Sequence, residues 1–188
     1  IDEDIMSLRQ FGSPLEGHPV PGRIDWIRVA TGSLGQGLSA GVGMALAAKL
    51  QGRKYRTYVL LGDGEMAEGA VSEALQLAVH YELDSLCAIV DVNRLGQSGP
   101  TMFGHDLDRY ARWVRALGVQ AIPVHDGHDI SALLAAFAKA HGVQGKPSLM
   151  LAKTVKGKGV AVLEDDESWH GKVLNPEQLD RALRGLAE

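Results

Sequence analysis

The stretch TYVLLGDGE, residues 57–65, decides the fold, because an uninterrupted apolar run ends there in Gly-Asp-Gly-Glu. An apolar run without polar alternation is typical of a strand that is buried on both faces of a parallel sheet. Residues 86–92 and 148–152 have the same character, and residues 119–124 form a weaker fourth run. We therefore predict parallel strands at these positions, with the Gly-Asp-Gly sequence at the end of the first.

Helical patterns separate these runs. Residues 68–81 place Val71, Ala74 and Leu75 at spacings of three and four, which forms an amphipathic stripe. Helical patterns also cover residues 2–10, 34–50, 106–117 and 130–141, and a further helix is predicted to begin near Asn175. This alternation predicts an α/β fold, a mostly parallel, doubly wound sheet with helices on both faces. Right-handed crossovers would bring the carboxyl ends of all strands to one edge, where such sheets bind ligands.

Composition narrows the class of protein. With 188 residues, of which 45% are hydrophobic and 22% charged, the chain suits a single globular domain over residues 1–188. The net charge of −4 argues against a nucleic-acid partner, because no basic surplus exists to neutralise phosphates. No apolar run reaches the roughly 18 residues of a membrane span and no signal peptide is present, so we expect a cytoplasmic protein without membrane contact. The lone Cys87 lies in an apolar run and predicts a buried thiol.

Asp63 and Asn93 form the candidate metal site. Each follows a predicted strand, and one helix lies between the two strands. A carboxylate and an amide oxygen at that edge suit a hard, roughly octahedral cation shared with a phosphorylated ligand, and the carbonyl of Leu95 offers a third oxygen. Gly62 and Gly64 favour a tight turn whose backbone approaches the phosphates, while the next helix directs its N-terminal amides at the anion. The alternative is an ordinary Gly-Asp-Gly turn that binds nothing.

The same residues carry a resemblance to a known family. Gly62-Asp63-Gly64 followed by Asn93 resembles the fingerprint of enzymes that use thiamine diphosphate. Five separated motifs resemble transketolase, and the animal type of that enzyme in particular. They are GHP (17–19), ATGSLGQGL (30–38), DVNRLGQS (91–98), KTVKGKG (153–159) and ESWHG (167–171). The resemblance covers nearly the whole chain and indicates the N-terminal, diphosphate-binding domain of the family.

The resemblance implies a role for each matching residue. Asp63, Asn93 and the carbonyl of Leu95 would hold Mg²⁺, or Ca²⁺ or Mn²⁺ in its place. The cofactor would be contacted by residues from five parts of the chain, namely Gly32, Ser33, Leu34, Gly64, Asn93, Lys156 and His170. His18 and His170 would face the reacting carbons of the sugar as acid–base groups. Glu68 resembles a family glutamate that is buried between two subunits.

The implied reaction is the transfer of a two-carbon ketol unit between phosphorylated sugars. In transketolases a separate pyrimidine-binding domain, usually on the partner subunit, supplies a glutamate that activates the cofactor. No second α/β domain follows in this sequence, so we expect an N-terminally incomplete fragment or one subunit of a split enzyme. It would be inactive alone and would work as a dimer or heterotetramer. The alternatives are a dihydroxyacetone synthase, a 1-deoxyxylulose-phosphate synthase, or a non-catalytic cofactor-binding module.

Simpler interpretations compete with some of these roles. The glycines of residues 32–37 would also allow close packing of a helix, and His18 would otherwise be an exposed loop residue. Lys158 suits an ordinary charged loop, and the acidic run 164–167 suits a solvated segment without a catalytic role. The remaining histidines that lack a supporting pattern are interpreted as surface or packing residues. They are His80, His125, His128 and His141.

Overall fold

The computed structural model describes residues 2–186, and these residues contain a central four-stranded parallel sheet. The strands are β1 (Thr57–Gly62), β2 (Leu86–Val92), β3 (Gln120–Val124) and β4 (Ser148–Lys153). Their order across the sheet is β1-β2-β4-β3, and each neighbouring pair is parallel. The predicted strands are confirmed to within one residue at each end, because continuous apolar runs mark strands that lie in the middle of a layered fold.

Six α-helices accompany the sheet in the described part of the chain, and each lies where a helix was predicted. They are α1 (Asp2–Met6), α2 (Gln36–Leu50), α3 (Gly69–His80), α4 (Leu107–Ala116), α5 (Ile130–His141) and α6 (Pro176–Leu186). α1 is shorter than expected, since the chain turns at Arg9, whose φ is 62°. Asp106 caps α4 by accepting a hydrogen bond from the N–H of Arg109. None of these helices has both the length and the apolar character needed to cross a membrane.

Helices cover both faces of the sheet, as predicted. On one face α2, α3 and α4 pack against alternate strand residues such as Leu61, Val90 and Leu151, which are at most 2% exposed. On the other face Ala140 of α5 packs in a second apolar cluster that includes Met150. Burial of both faces removes a large apolar area from water and is the main stabilising contribution to this fold.

β1 is the exception to this two-sided burial. Tyr58 and Leu60 lie on the face that α5 covers elsewhere, and they are 53% and 73% exposed. Phe137 of α5 reaches the ring of Tyr58 edge-on, with the ring centroids 5.8 Å apart. Helices on both faces are therefore confirmed for the sheet, but within residues 2–186 the second helical layer stops short of β1.

Cys87 lies inside β2 with none of its surface exposed, which confirms the predicted buried thiol. Its apolar neighbours belong to the cluster between the sheet and α5. Burial disfavours the thiolate and raises the pKa of this thiol to about 11. A thiol in this setting is an inert packing group at neutral pH.

The carboxyl ends of the strands meet at one edge of the sheet. In the register of the sheet, Gly62 lies opposite Asp91, and Val92 lies opposite Lys153. The segments that follow β1, β2 and β4 therefore leave the sheet side by side. They are residues 63–68, residues 93–106 and residues 154–175, the last of which we call the late loop. This carboxyl edge holds most of the residues that the sequence predicted for a ligand site.

Candidate functional site

Asp63 is a buried charge directly after β1, with only 4% of its surface exposed. Its Oδ2 accepts hydrogen bonds from the N–H of Arg94 and from the hydroxyl of Thr101, both at 2.8 Å. Its Oδ1 accepts one from the N–H of Gly64 at 3.0 Å. Burial nevertheless raises the pKa of this carboxyl group, since the loss of water outweighs these hydrogen bonds. A cation beside the carboxylate would offset the cost of burying its charge.

Asn93 follows β2, the strand that pairs with β1. Its Oδ1 accepts a hydrogen bond from the N–H of Leu95 at 3.0 Å, across Arg94, whose φ of 65° is left-handed. The chain then reverses, and the N–H of Thr101 donates to the carbonyl of Arg94 at 2.8 Å. This reversal carries the Thr101 hydroxyl back to Asp63. One short loop therefore presents Asn93 and Leu95 next to the buried carboxylate.

A cavity of about 970 Å³ opens at this edge of the sheet. Its walls include the three predicted metal ligands and three predicted cofactor residues, namely Asp63, Asn93, Leu95, Gly64, Lys156 and His170. Within residues 2–186, no three His, Cys, Asp or Glu side chains form a metal cluster of their own. A cation here would therefore rely on one carboxylate, neutral amide and carbonyl oxygens, and oxygens of its ligand. That donor set fits Mg²⁺ at a phosphate site.

Gly62 and Gly64 contribute space rather than an unusual backbone. Gly62 ends β1 in extended conformation, and Gly64 has a right-handed φ of −63°. A Cβ at Gly62 would have no neighbour within 4 Å, and one at Gly64 would lie 3.6 Å from the methyl group of Thr101. The turn itself therefore does not require glycine, which corrects part of the sequence argument. Both positions line the cavity and leave room for a ligand beside the backbone.

His18 lies in a second, smaller cavity of about 470 Å³. Its imidazole packs over Gly32, which has a φ of 119°, and a Cβ at that glycine would lie 2.4 Å from the Cγ of His18. Ser33 and Leu34 also line the smaller cavity, and Leu34 lines the larger one as well. The structure thus groups three predicted cofactor residues with His18, in a cavity adjacent to that of Asp63.

Glu65 joins the two cavities, and no role was predicted for it. It lines both of them. Its Oε1 accepts a hydrogen bond from the N–H of Gly35 at 2.7 Å, and its Oε2 accepts one from the N–H of Gly62 at 3.2 Å. These bonds tie the segment before α2 to the turn after β1. The sequence carries no signal for this contact, because Gly35 and Glu65 are 30 residues apart.

The late loop brings Lys156 and His170 together at the wall of the larger cavity. The Nζ of Lys156 lies 3.3 Å from the Nδ1 of His170. An ammonium group has donors and no acceptor, so Lys156 donates and the Nδ1 of His170 accepts in this contact. Lys158 instead faces Glu164, with 3.8 Å between Nζ and Oε1, which agrees with its interpretation as a charged-loop residue.

Residues without a predicted role anchor the start of the late loop. The hydroxyl of Thr154 donates to the Oδ1 of Asp91, and the carbonyl of Thr154 lies 3.0 Å from the Nε2 of His105. The Nε2 of His128 accepts a hydrogen bond from the N–H of Val155 at 2.8 Å. His128 is exposed, as predicted for a surface residue, and its Nε2 also holds the backbone of the loop.

The acidic run 164–167 is exposed, as expected of a solvated segment, and two of its side chains also anchor the late loop. Asp165 forms an ion pair with Arg94, in the loop that follows β2. Glu164 accepts a hydrogen bond from the N–H of Gly159 at 2.8 Å. The first contact joins positions 71 residues apart, so no local pattern in the sequence predicts it.

Glu68 and two apolar side chains remain exposed at this edge. Glu68 precedes α3 and makes no side-chain capping hydrogen bond. Leu34 and Met102 line the larger cavity and are 42% and 72% exposed. The predicted burial of Glu68 between subunits involves a partner chain and stays a prediction.

The parallel strand order and the residues gathered at the carboxyl edge define an α/β protein with the thiamine-diphosphate-binding fold. The chain belongs to the transketolase family, since the family described as "Transketolase, thiamine diphosphate binding domain" matches residues 2–186.

Relatives and solved structures agree with this assignment. Transketolase-like protein 2 of Bos taurus is 49% identical over 184 residues, which are 97% of this chain and 29% of that protein. Transketolase of Homo sapiens is 46% identical over 186 residues, 98% of this chain and 29% of that protein. The crystal structure of Pichia stipitis transketolase in complex with sedoheptulose 7-phosphate matches with a TM-score of 0.88 and 34% identity, over 98% of this chain and 29% of that chain. This chain therefore spans less than a third of the length of these relatives.

Proposed function

We propose that this chain is the diphosphate- and metal-binding half of a transketolase. Completed by a pyrimidine-binding domain, it would transfer a two-carbon ketol unit between phosphorylated sugars. Membership of the transketolase family supports the reaction class. The sedoheptulose 7-phosphate bound to the Pichia stipitis enzyme supports a phosphorylated sugar as the substrate.

The proposal is carried by the position of Asp63 beside the end of β2. The N–H of Arg94, the residue after Asn93, donates to the Asp63 carboxylate at 2.8 Å. The side chains of Asp63 and Asn93 therefore leave neighbouring strands and line one cavity. We propose that these two side chains and the carbonyl of Leu95 hold Mg²⁺, for which Ca²⁺ or Mn²⁺ would substitute, and that the cation binds a diphosphate.

Residues around the two cavities would then hold thiamine diphosphate. They are Gly32, Ser33, Leu34, Gly64, Asn93, Lys156 and His170. The ammonium group of Lys156 would place a positive charge next to the diphosphate. When bound, thiamine diphosphate supplies the electron sink that allows a carbon–carbon bond of the sugar to break.

His18 and His170 would move protons at the hydroxyl groups of the sugar. Since Nδ1 of His170 accepts from Lys156, its Nε2–H is the group left to donate to a substrate. His18 presents an exposed imidazole over Gly32 at the smaller cavity. An imidazole ring can both donate and accept a proton, which suits acid–base catalysis.

A pyrimidine-binding domain would cover the carboxyl edge, from a partner chain in a dimer or heterotetramer. The exposure of Leu34 and Met102 beside the larger cavity supports a covering partner, since apolar side chains at a ligand site are favoured where another surface buries them. Glu68 would then be buried at that interface. The matched relatives are more than three times as long as this chain, which leaves room in them for such a domain.

Calorimetric titration with thiamine diphosphate, with and without Mg²⁺, tests the metal site when a separately expressed pyrimidine-binding domain is present. We predict that Asp63→Ala abolishes the metal-dependent part of the affinity, because the cation loses its charged ligand. Asp108→Ala, which removes an exposed aspartate on α4, is the matched control and should bind as the wild type does. Equal Mg²⁺-dependent affinity in Asp63→Ala and the wild type would remove Asp63 from the site.

Turnover of xylulose 5-phosphate with ribose 5-phosphate tests the reaction in the same mixture. A panel of other donors and acceptors separates the transketolase reaction from those of a dihydroxyacetone synthase or a 1-deoxyxylulose-phosphate synthase. Tight cofactor binding without turnover of any substrate would contradict the proposal and favour a non-catalytic module.

A further inference from the structure

Asp91 has no part in the binding proposed above, although it lies on β2 only two residues before Asn93. Its carboxylate makes two side-chain hydrogen bonds. The Oδ2 accepts from the Nδ2 of Asn93 at 3.0 Å, and the Oδ1 accepts from the hydroxyl of Thr154. The two partners belong to different segments, one to the loop after β2 and one to the late loop after β4.

The first bond determines which way the Asn93 amide faces. Its Nδ2 meets a carboxylate that only accepts, and its Oδ1 meets the N–H of Leu95, which only donates, at 3.0 Å. A flipped amide would place its oxygen against the carboxylate and its NH₂ group against the N–H. Both hydrogen bonds would then be lost and replaced by repulsion. Asp91 therefore holds the amide oxygen, and not the nitrogen, available to a cation.

The second bond reaches the late loop where it leaves the sheet. Thr154 is the first residue after β4, and its N–H donates to the carbonyl of Val92 at 3.1 Å. With its hydroxyl on Asp91, this threonine is fixed by both backbone and side chain. Lys156 lies two residues further on. The Asp91 carboxylate thus connects the Asn93 amide to the segment that carries the cationic side chain of the cavity wall.

We propose that Asp91 is a positioning residue, which orients the Asn93 amide oxygen toward the cation and ties Asn93 to the late loop through Thr154. This inference rests on the proposed function, because it takes Asn93 as a metal ligand. Asp91 itself would not touch the cation, the cofactor or the substrate.

The orientation of Asn93 is measurable without metal or cofactor, from the side-chain NH₂ signals of Asn93 in ¹H–¹⁵N spectra of the 188-residue chain. In the wild type, one of the two amide protons should be shifted downfield and exchange slowly with water, since it is bonded to a carboxylate. Asp91→Ala should move the signals to the positions of an exposed asparagine, and unchanged signals would overturn the proposal. Thr154→Val should leave them in place but speed amide exchange in residues 154–171.

The affinity for Mn²⁺, used as a paramagnetic substitute for Mg²⁺ with saturating thiamine diphosphate, tests the consequence for binding. Removal of a residue that orients a metal ligand weakens metal binding by roughly 10- to 100-fold, and we expect that range for Asp91→Ala. Asp91→Asn should restore most of the affinity, because its oxygen accepts from Asn93 and its NH₂ group donates to the Thr154 hydroxyl. If Asp91→Ala and Asp91→Asn weakened binding only by destabilising the fold, their losses of Mn²⁺ affinity would instead follow their losses in melting temperature.

Asn93→Ala separates failure of this inference from failure of the proposed function. If Asn93→Ala weakens Mn²⁺ binding and a folded Asp91→Ala variant does not, positioning by Asp91 is overturned and the metal site stands. If Asn93→Ala binds Mn²⁺ as the wild type does, Asn93 is not a ligand and the proposed metal site fails. Should Asp91→Ala fail to fold, Asp91→Asn decides the matter: wild-type affinity supports the proposal, and a loss as large as that of Asn93→Ala contradicts it.

Discussion

Gly32 shows how one backbone position supports a side chain far away in the sequence. The motif predicted a cofactor contact at this glycine, and the structure adds that the imidazole of His18 rests on it. A φ of 119° is open to glycine and strained for other residues. Any side chain at this position would therefore be strained itself and would also displace His18.

Gly32→Ala should consequently lower both stability and turnover. We expect a loss of about 1–3 kcal/mol in the free energy of unfolding from backbone strain, measured by urea denaturation. In the completed enzyme, turnover should fall more than cofactor affinity, because His18 moves while the metal site is untouched.

Gly43→Ala is the matched control for that experiment. Gly43 is exposed in α2, and a Cβ there would have no neighbour within 4 Å. Alanine is the better helix former by about 1 kcal/mol, so this variant should be slightly more stable and fully active. If Gly32→Ala matched Gly43→Ala in stability and turnover, the support of His18 by Gly32 would be refuted.

Side chains at strand ends could be predicted from the sequence, whereas hydrogen bonds between distant segments could not. Asp63 and Asn93 were predicted because each follows a recognisable strand and parallel strands share one edge. Glu65 and Thr154 were missed, since their partners lie 30 and 63 residues away and follow no periodic pattern. Such contacts depend on how loops pack once the sheet has formed.

At the scale of elements, burial explains why the strand positions were predicted accurately and why the exposed face of β1 was not. The strands were located to within a residue because the sheet interior demands apolar residues without interruption. The run in β1 is equally apolar, so the sequence did not indicate that its residues Tyr58 and Leu60 are exposed. Hydrophobicity alone does not reveal whether a helix lies over a given face.

The burial of Cys87 in β2 can be tested through the pH dependence of the free energy of unfolding. Its thiol has a pKa of about 11 in the folded chain, against an ordinary value of 9.0. Between those values the unfolded chain loses the proton while the folded chain retains it, so the free energy of unfolding falls as pH rises. Over this range the wild type should lose about 3 kcal/mol relative to Cys87→Ala, which has no thiol to titrate.

Urea denaturation of both proteins from pH 8 to pH 11.5 measures this difference. The other titrating groups are common to the two proteins, so their effects cancel in the comparison. Parallel pH profiles would show that the thiol is not buried in solution.

The late loop is the element that should matter most for turnover. His170→Ala should lower turnover by roughly 100-fold or more, the range typical of lost acid–base catalysis, and should weaken cofactor binding much less. The comparison uses kcat and the calorimetric affinity for thiamine diphosphate in the completed enzyme. His125→Ala, at an exposed histidine, is the control and should leave both unchanged. The reverse pattern in His170→Ala, with weak binding and normal turnover, would make His170 a binding residue only.

At the scale of the whole molecule, the site is open on the side where Leu34 and Met102 are exposed. We predict no transketolase turnover for this chain alone, and turnover when a pyrimidine-binding domain from a close relative is added. The rate should saturate as that domain is titrated in, because in our proposal one copy of it completes each active site. Ordinary enzymatic rates from the 188-residue chain alone would refute the requirement for a partner domain.

The central claim is that Asp63 and Asn93 together hold a cation that anchors a diphosphate. Anomalous diffraction from crystals grown with Mn²⁺ and thiamine diphosphate measures the position of that cation directly. We predict one strong peak with oxygen atoms of Asp63, Asn93 and Leu95 at coordination distances of about 2.0–2.3 Å, and with diphosphate oxygens completing the shell. A peak elsewhere, or a bound diphosphate whose cation touches neither Asp63 nor Asn93, would contradict the claim.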